Sequence, residues 1–137
     1  DTIEDVMARF DHLAGVVLAS RSYSAALAPI YFSANLDAGI YEILKGIALS
    51  HVFPFLDNVF AASHFRASPH LRALICAQIA NIEYSVINDT LAGRFPEEHL
   101  ALYLKIAVLG CIAGHLPRVP SDLTEMLAEL RQMLPTS

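Results

Sequence analysis

Apolar side chains recur three and four residues apart along almost the whole chain, which is the period of an α-helix and not of a β-strand. The first such run is Ile3, Val6, Met7, Phe10, Leu13, Ala14, Val17 and Leu18. No segment shows a convincing alternation of apolar and polar residues between hairpin turn residues. The spacing therefore predicts an all-α protein.

Residues that cap or break helices divide this pattern into six predicted helices joined by short loops. Thr2 and Asp5 have the spacing of a capping box for the first helix. Ser68 before Pro69 marks the start of a long helix, and Gly93 marks its end. The predicted helices cover residues 3–20, 23–33, 38–63, 69–92, 97–116 and 123–134.

Two of these boundaries depend on how single residues are interpreted. The apolar period continues through Pro54, so we expect one kinked helix over residues 38–63 and not two separate helices. Asp122 precedes Glu125 by three residues, and this spacing predicts a capping box at the start of the last helix.

The composition excludes several classes of protein. The 137 residues are 55% hydrophobic and 17% charged, which excludes a disordered tail and indicates a single domain with its own core. The net charge is −5 and the nine Lys and Arg residues are scattered singly, which argues against DNA contact by this chain itself. Cys76 and Cys111 are far apart and no signal peptide is visible, so we expect a cytoplasmic protein. The chain does not begin with Met, which is consistent with a piece of a longer product.

The fifth predicted helix is apolar around most of its circumference. Lys105 is the only formal charge between Leu100 and Leu116. Such a helix must be covered on more than one side. It could cross a membrane, although the run is short for a span and we expect no membrane contact. It could also be the central helix of a monomer. The arrangement that we favour packs one side on its own domain and the other side on a second copy.

Small residues favour this dimeric arrangement because they let helix backbones approach closely. Two such helices from each of two copies would form a four-helix interface. The candidate dimer-interface residues are Ala73, Ala77 and Ala80 on the fourth predicted helix and Ala107, Gly110, Ala113 and Gly114 on the fifth.

The stretch SPHLRALICAQIANIEYSVINDTLAGRFPEEHLALYLKIAVLGCIAGHL, residues 68–116, resembles the C-terminal regulatory domain of TetR-family transcriptional repressors. In that family a long helix ends in Gly, a short loop carries Pro and acidic residues, and a second apolar helix carries small residues near its end. The segment IALSHVFPFLDNVFAA, residues 47–62, resembles the helix that precedes this pair. The resemblance implies a six-helix orthogonal bundle that forms a homodimer. It also implies DNA binding only through an N-terminal helix-turn-helix domain, which these residues do not include.

The resemblance further implies a small hydrophobic effector, held between the first helix, the kinked helix and the first helix of the dimer interface. Pocket walls need aromatic side chains and a few polar groups. The same side chains could instead be core fillers, and Gln78 and Asn81 could instead form hydrogen bonds across the dimer. The candidate ligand-binding residues are Phe10, Tyr31, His51, Phe53, Phe60, Gln78, Asn81 and Tyr84.

Catalysis has little support in the sequence, so we expect no enzyme activity, no metal and no cofactor. The chain has no GxSxG, P-loop, GxGxxG or HExxH motif. Glu97 and Glu98 beside His99 could suggest a metal site, but carboxylates at a helix start already complement its dipole. The expected function is effector sensing and dimerisation in a TetR-like repressor. The alternative is a standalone dimeric helical binding or scaffold domain unrelated to DNA.

Overall fold

Helices account for almost all the regular structure of residues 2–136, the part of the chain that the computed structural model describes. Over that range there is no β-strand, which confirms the predicted all-α class. A single 3-10 turn, Glu97–His99, precedes α6. The α-helices of the described range are α1 (Ile3–Ala19), α2 (Arg21–Tyr31), α3 (Ala38–Leu49), α4 (Phe53–Ala62), α5 (Pro69–Leu91), α6 (Leu100–His115) and α7 (Ser121–Gln132).

Three of the predicted helix ends are confirmed by their hydrogen bonds or dihedral angles. The Thr2 side chain accepts a bond from the Asp5 N–H, and the Asp5 carboxylate accepts one from the Thr2 N–H. Ser68 Oγ accepts a bond from the Leu71 N–H at 3.1 Å. Gly93 follows α5 with φ of +83°, the left-handed conformation in which a residue without Cβ is favoured. The two side-chain caps satisfy N–H groups that the first turn of a helix leaves unpaired, and Gly93 ends α5.

The prediction of one kinked helix over residues 38–63 is wrong. α3 ends at Leu49, α4 begins at Phe53, and the two helices are bent by 67°. Pro54 lies in the first turn of α4, where its missing N–H removes no intrahelical bond. An apolar period that passes through a proline is therefore equally compatible with a second helix that starts there. This break gives seven α-helices over residues 2–136 where six were predicted.

The predicted capping box at Asp122 is also wrong. α7 begins at Ser121, with Pro120 at the capping position, so Asp122 lies inside the first turn. Its Oδ1 accepts a bond from the N–H of Leu123, the next residue. The carboxylate still complements the positive end of the helix dipole.

α6 forms the centre of the main core and packs against α1, α5 and α7. Its fully buried residues are Leu100, Leu104, Val108, Leu109 and Ile112. Lys105 is accommodated because its Nζ lies 2.8 Å from Asp11 Oδ1 on α1. Most of this apolar helix is therefore covered by its own chain, more than its composition led us to expect.

A smaller apolar cluster joins α2, α3 and α5. The ring of Tyr31 stacks on Tyr84 at 4.4 Å and on Tyr41 at 5.3 Å between centroids. Ala80 is completely buried in this cluster, so it is unavailable to the dimer face on which it was placed. α2 reaches the cluster because the chain turns by 105° between α1 and α2. That corner positions the site described below.

Within residues 2–136, no one helix combines the length and the apolar composition that a membrane crossing needs. The two bent pairs, α1 with α2 and α3 with α4, meet the criteria only when each is taken as a pair.

Candidate functional site

A cavity of about 170 Å³ lies at the corner where α1 turns into α2, closed on its other sides by α3 and α5. We call it the corner cavity. Its wall is mainly apolar, formed by Leu13, Val16, Val17, Leu27, Ile47, Ala48 and Ile87. The polar groups on the wall come from Ser20, Tyr23, Ser24, Glu83 and Tyr84. An apolar wall with a few polar groups is typical of small-molecule sites.

Glu83 is the unusual member of this wall, because its side chain is charged in water and yet only 1% exposed. One carboxylate oxygen, Oε1, lies 3.2 Å from His51 Nε2. The other, Oε2, has no hydrogen-bond partner among the described residues. Burial raises the pKa of the Glu83 carboxyl, and the nearby His51 offsets only part of that rise. A buried acceptor without a donor costs stability, on the order of 1–3 kcal/mol.

His51 lies in the turn between α3 and α4, next to Glu83 and not on the cavity wall. Its ring packs edge-on against Phe10 with centroids 5.1 Å apart. Its carbonyl oxygen accepts a 2.7 Å bond from Arg9 Nε. The nearness of its Nε2 to Glu83 Oε1 lowers the pKa of that carboxyl in part, against the larger effect of burial.

Tyr84 is the neighbour of Glu83 on the cavity wall and is held rigidly. Its hydroxyl donates a 2.6 Å bond to the Leu44 carbonyl oxygen on α3. Burial raises the pKa of Tyr84 to about 12, so the phenol stays protonated as a donor at neutral pH. The hydroxyls of Ser20 and Ser24 are also engaged, because they lie 3.2 Å from each other and Ser20 donates to the Val16 carbonyl oxygen. These hydroxyls are therefore already engaged within the chain.

The structure brings only part of the predicted ligand set to this cavity. Tyr84 lines the cavity. His51 does not line it, but it contacts Glu83, which does. Tyr31 belongs to the tyrosine stack.

The five other candidates lie elsewhere. Phe10 and Phe60 are buried in the main core, and Phe53 and Phe60 flank the guanidinium of Arg72. Gln78 Oε1 lies 2.6 Å from His115 Nε2, and Asn81 is exposed on α5. The structure therefore does not assemble the eight predicted residues around one cavity.

Glu83 was missed by the sequence analysis although a signal for it exists. Ile75, Ile79 and Ile87 are all buried on α5, and Glu83 occupies the same four-residue register. An acidic residue at a core position is rarely buried without a partner or a role. That pattern could have identified Glu83. The apolar residues of the cavity wall carry no such signal, because their sequence pattern is that of ordinary core residues.

The predicted dimer face contains a strip of small residues on the outer side of α5 and α6. Ala73 and Gly114 are exposed, and Ala77, Ala107, Gly110 and Ala113 are half-buried. A Cβ added at Gly110 or Gly114 would meet no atom within 4 Å, so packing within the chain does not require glycine there. The strip continues into a shallow apolar groove lined by Val86, Phe95, Tyr103, Ile106, Ala107 and Leu134.

Cys76 and Cys111 are free thiols whose pKa values are raised by burial, so neither is an activated nucleophile. Among residues 2–136, no three His, Cys, Asp or Glu side chains are close enough together to hold a metal ion.

No family model, curated protein or solved structure matches this chain.

Proposed function

We propose that this chain is the effector-sensing and dimerisation domain of a TetR-like transcriptional repressor. The observation that carries the proposal is the corner cavity, an apolar space between four helices with one buried acidic side chain on its wall. Its position between α1, α3 and α5 agrees with the location that the family resemblance implies for a small hydrophobic effector. DNA would be bound by a separate N-terminal domain, because the net charge of −5 does not favour DNA contact by this chain.

α1 is the element that would transmit the presence of an effector. It contributes Leu13, Val16 and Val17 to the cavity wall and is the helix nearest to the start of the chain. A ligand that fits better with one position of α1 than with another shifts the equilibrium between them. In the proposed repressor, this shift would move the DNA-reading domains.

The effector proposal is tested by thermal denaturation with a panel of small apolar and aromatic compounds. A compound that binds the folded chain raises the melting temperature in proportion to the logarithm of its concentration above Kd. Leu27→Trp places a large ring at the half-buried edge of the cavity and should abolish the shift. The matched control is Leu102→Trp, at a half-buried position on α6 away from the cavity. Equal shifts in both variants would refute this site.

The dimer proposal rests on the strip of small residues and its adjoining apolar groove. A second copy is the expected partner because a twofold arrangement would bring the α5–α6 strip of each copy onto the other. Gly110→Leu should block this approach and give a monomer in light scattering. Gly15→Leu is the matched control, since Gly15 is exposed on α1 and also has open space at its Cβ. An unchanged mass for Gly110→Leu, or a monomeric unmodified chain at micromolar concentration, would refute the interface.

The alternative function is a dimeric helical binding or scaffold domain with no link to DNA. The acidic net charge of the chain fits this function as well, because neither function needs DNA contact by this chain. The coding sequence before Asp1 decides between the two functions. A basic helix-turn-helix segment there supports the repressor domain, and a different segment supports the alternative.

A further inference from the structure

We propose that the outer surface of α2 and α3 is a second self-association surface, through which two copies of this chain meet in a weak twofold contact. We call it the α2–α3 face. It is formed by other elements than the α5–α6 strip, so this inference goes beyond the proposed dimer interface and does not depend on it. The side chains of the α2–α3 face are large, mainly apolar and 45–70% exposed: Val16, Tyr23, Ile30, Ile40, Ile43 and Ile47.

α3 is apolar on two sides, and its own chain covers only one of them. Leu44 and Ala48 are buried in the smaller apolar cluster. Ile40, Ile43 and Ile47 are three and four residues apart, which places them along one side of the helix, and all three are exposed. A helix that is apolar on more than one side is normally covered on more than one side. Within residues 2–136 the outer side of α3 is left uncovered.

The exposed side chains of α2 lie beside this stripe at both of its ends. Near the end of α3, Tyr23 and Ile47 both lie on the wall of the corner cavity. Near its start, Ile30 and Ile40 line one shallow groove. α2 and α3 therefore run in opposite directions, and their exposed side chains form one continuous surface. Ile43 lies at its centre, one helical turn from Ile40 and from Ile47.

The area of the α2–α3 face is that of a weak contact between proteins. At roughly 200 Å² for one fully exposed side chain of this size, its members expose about 600–700 Å² in each copy. Apolar patches larger than a few hundred Å² are unusual on a monomer and mark interaction sites. A twofold contact would bury about 1,200 Å² over both copies, the lower limit for stable complexes. We therefore expect a Kd on the order of 100 µM.

The charges around the α2–α3 face favour a second copy of this chain as its occupant. Residues 20–49 carry two basic and two acidic side chains: Arg21, Lys45, Asp37 and Glu42. This region is therefore neutral, and two copies can meet there without the repulsion that their net charge of −5 causes elsewhere. A membrane-binding face is typically rich in Lys and Arg. Here Lys45 is paired with Glu42, and Arg21 with Glu97.

Light scattering over a concentration series tests this contact. The average mass of the unmodified chain should rise nearly twofold between about 5 µM and about 1 mM. Ile43→Glu places a charge at the centre of the face and should abolish the rise, because burying an unpaired charge is costly. Ile43→Lys should also abolish it, and this variant lowers the net negative charge, so repulsion between copies would not explain the loss. Both variants should keep the circular dichroism of the unmodified chain, since Ile43 is exposed.

Met133→Glu is the matched control. Met133 follows α7 and is 63% exposed, as Ile43 is, and the substitution adds the same charge away from the α2–α3 face. Its mass should rise with concentration as in the unmodified chain. Gly110→Leu should also keep the relative rise, because the α5–α6 strip affects only the mass at low concentration. The failure of one interface can therefore be distinguished from the failure of the other.

Four results would overturn the contact. The first is a constant mass of the unmodified chain over this range. The second is an equal rise in Ile43→Glu or Ile43→Lys. The third is a rise that continues past twofold, because a twofold contact is complete after one pairing. The fourth is a constant mass together with flotation on phosphatidylcholine–phosphatidylserine vesicles that Ile43→Glu abolishes, which would assign the α2–α3 face to a lipid surface instead.

Discussion

Glu83→Met should make the folded chain more stable at neutral pH. The substitution replaces a buried acid, 1% exposed and with Oε2 unpartnered, by an apolar side chain of similar volume. Replacing buried ionic groups in this way is often neutral or stabilising by roughly 1–4 kcal/mol. Because His51 loses the carboxylate beside it, we expect the lower part of that range, about 1–2 kcal/mol. In a domain of this size that corresponds to a rise in melting temperature of about 4–8 °C.

The gain should depend on pH, and its sign follows from the direction of the pKa shift. Burial raises the pKa of Glu83 above 4.5, so between that value and the raised value the folded state binds more protons than the unfolded state. The free energy of unfolding therefore falls as pH rises through that window, and it stays lower above it. Glu83→Met has no carboxyl at this position, so its free energy of unfolding does not fall for this reason. Its advantage over the unmodified chain should be small at about pH 4 and largest at about pH 8.

Urea denaturation of both chains at these two pH values measures the difference directly. Groups that do not contact Glu83, such as Glu97 with its pKa lowered by Arg21, affect both chains equally and cancel in the difference. Glu125→Met on the exposed side of α7 is the control and should change neither the stability nor its pH dependence by more than about 0.5 kcal/mol. A destabilised Glu83→Met, or an advantage that shrinks as pH rises, would show that the carboxyl is well satisfied in the folded state.

Three further substitutions test local features of the fold by urea denaturation. Tyr84→Phe removes the 2.6 Å bond to the Leu44 carbonyl oxygen and should cost about 1 kcal/mol; an unchanged stability would contradict that bond. Ser68→Ala removes the cap on the Leu71 N–H and should also cost about 1 kcal/mol, whereas a neutral effect would mean that water replaces the cap. Gly93→Ala places a Cβ on a backbone with φ of +83° and should cost about 1 kcal/mol, so a stabilised variant would argue against the left-handed conformation.

The distribution of exposed apolar side chains bears on the dimer. The fifth predicted helix was expected to need a second copy because it is so apolar, but α6 is largely covered by α1, α5 and α7. Among the residues that the structure describes, large exposed apolar side chains cluster instead on α2 and α3, including Ile30, Ile40, Ile43 and Ile47. The proposed interface therefore depends on the narrower α5–α6 strip and its groove, which makes Gly110→Leu the decisive variant.

The amino-acid sequence by itself determined the helical class and several helix ends. Those signals act within a few residues: a period of 3.6, a hydroxyl that caps an N–H three residues ahead, and a glycine that adopts a left-handed conformation. Where two structures share the same local pattern, as at Pro54, the sequence could not choose between them. The structure has two helices there, α3 and α4, bent by 67°.

Only the tertiary structure decided where the candidate site lies. The corner cavity exists because α1 and α2 meet at 105° and because α3 and α5, distant in the chain, close the remaining sides. A cavity is set by what several helices fail to fill, and no single helix carries that information. The period of α5 places residue 83 among buried isoleucines, but its contact with His51 and its free oxygen depend on the arrangement of all four helices.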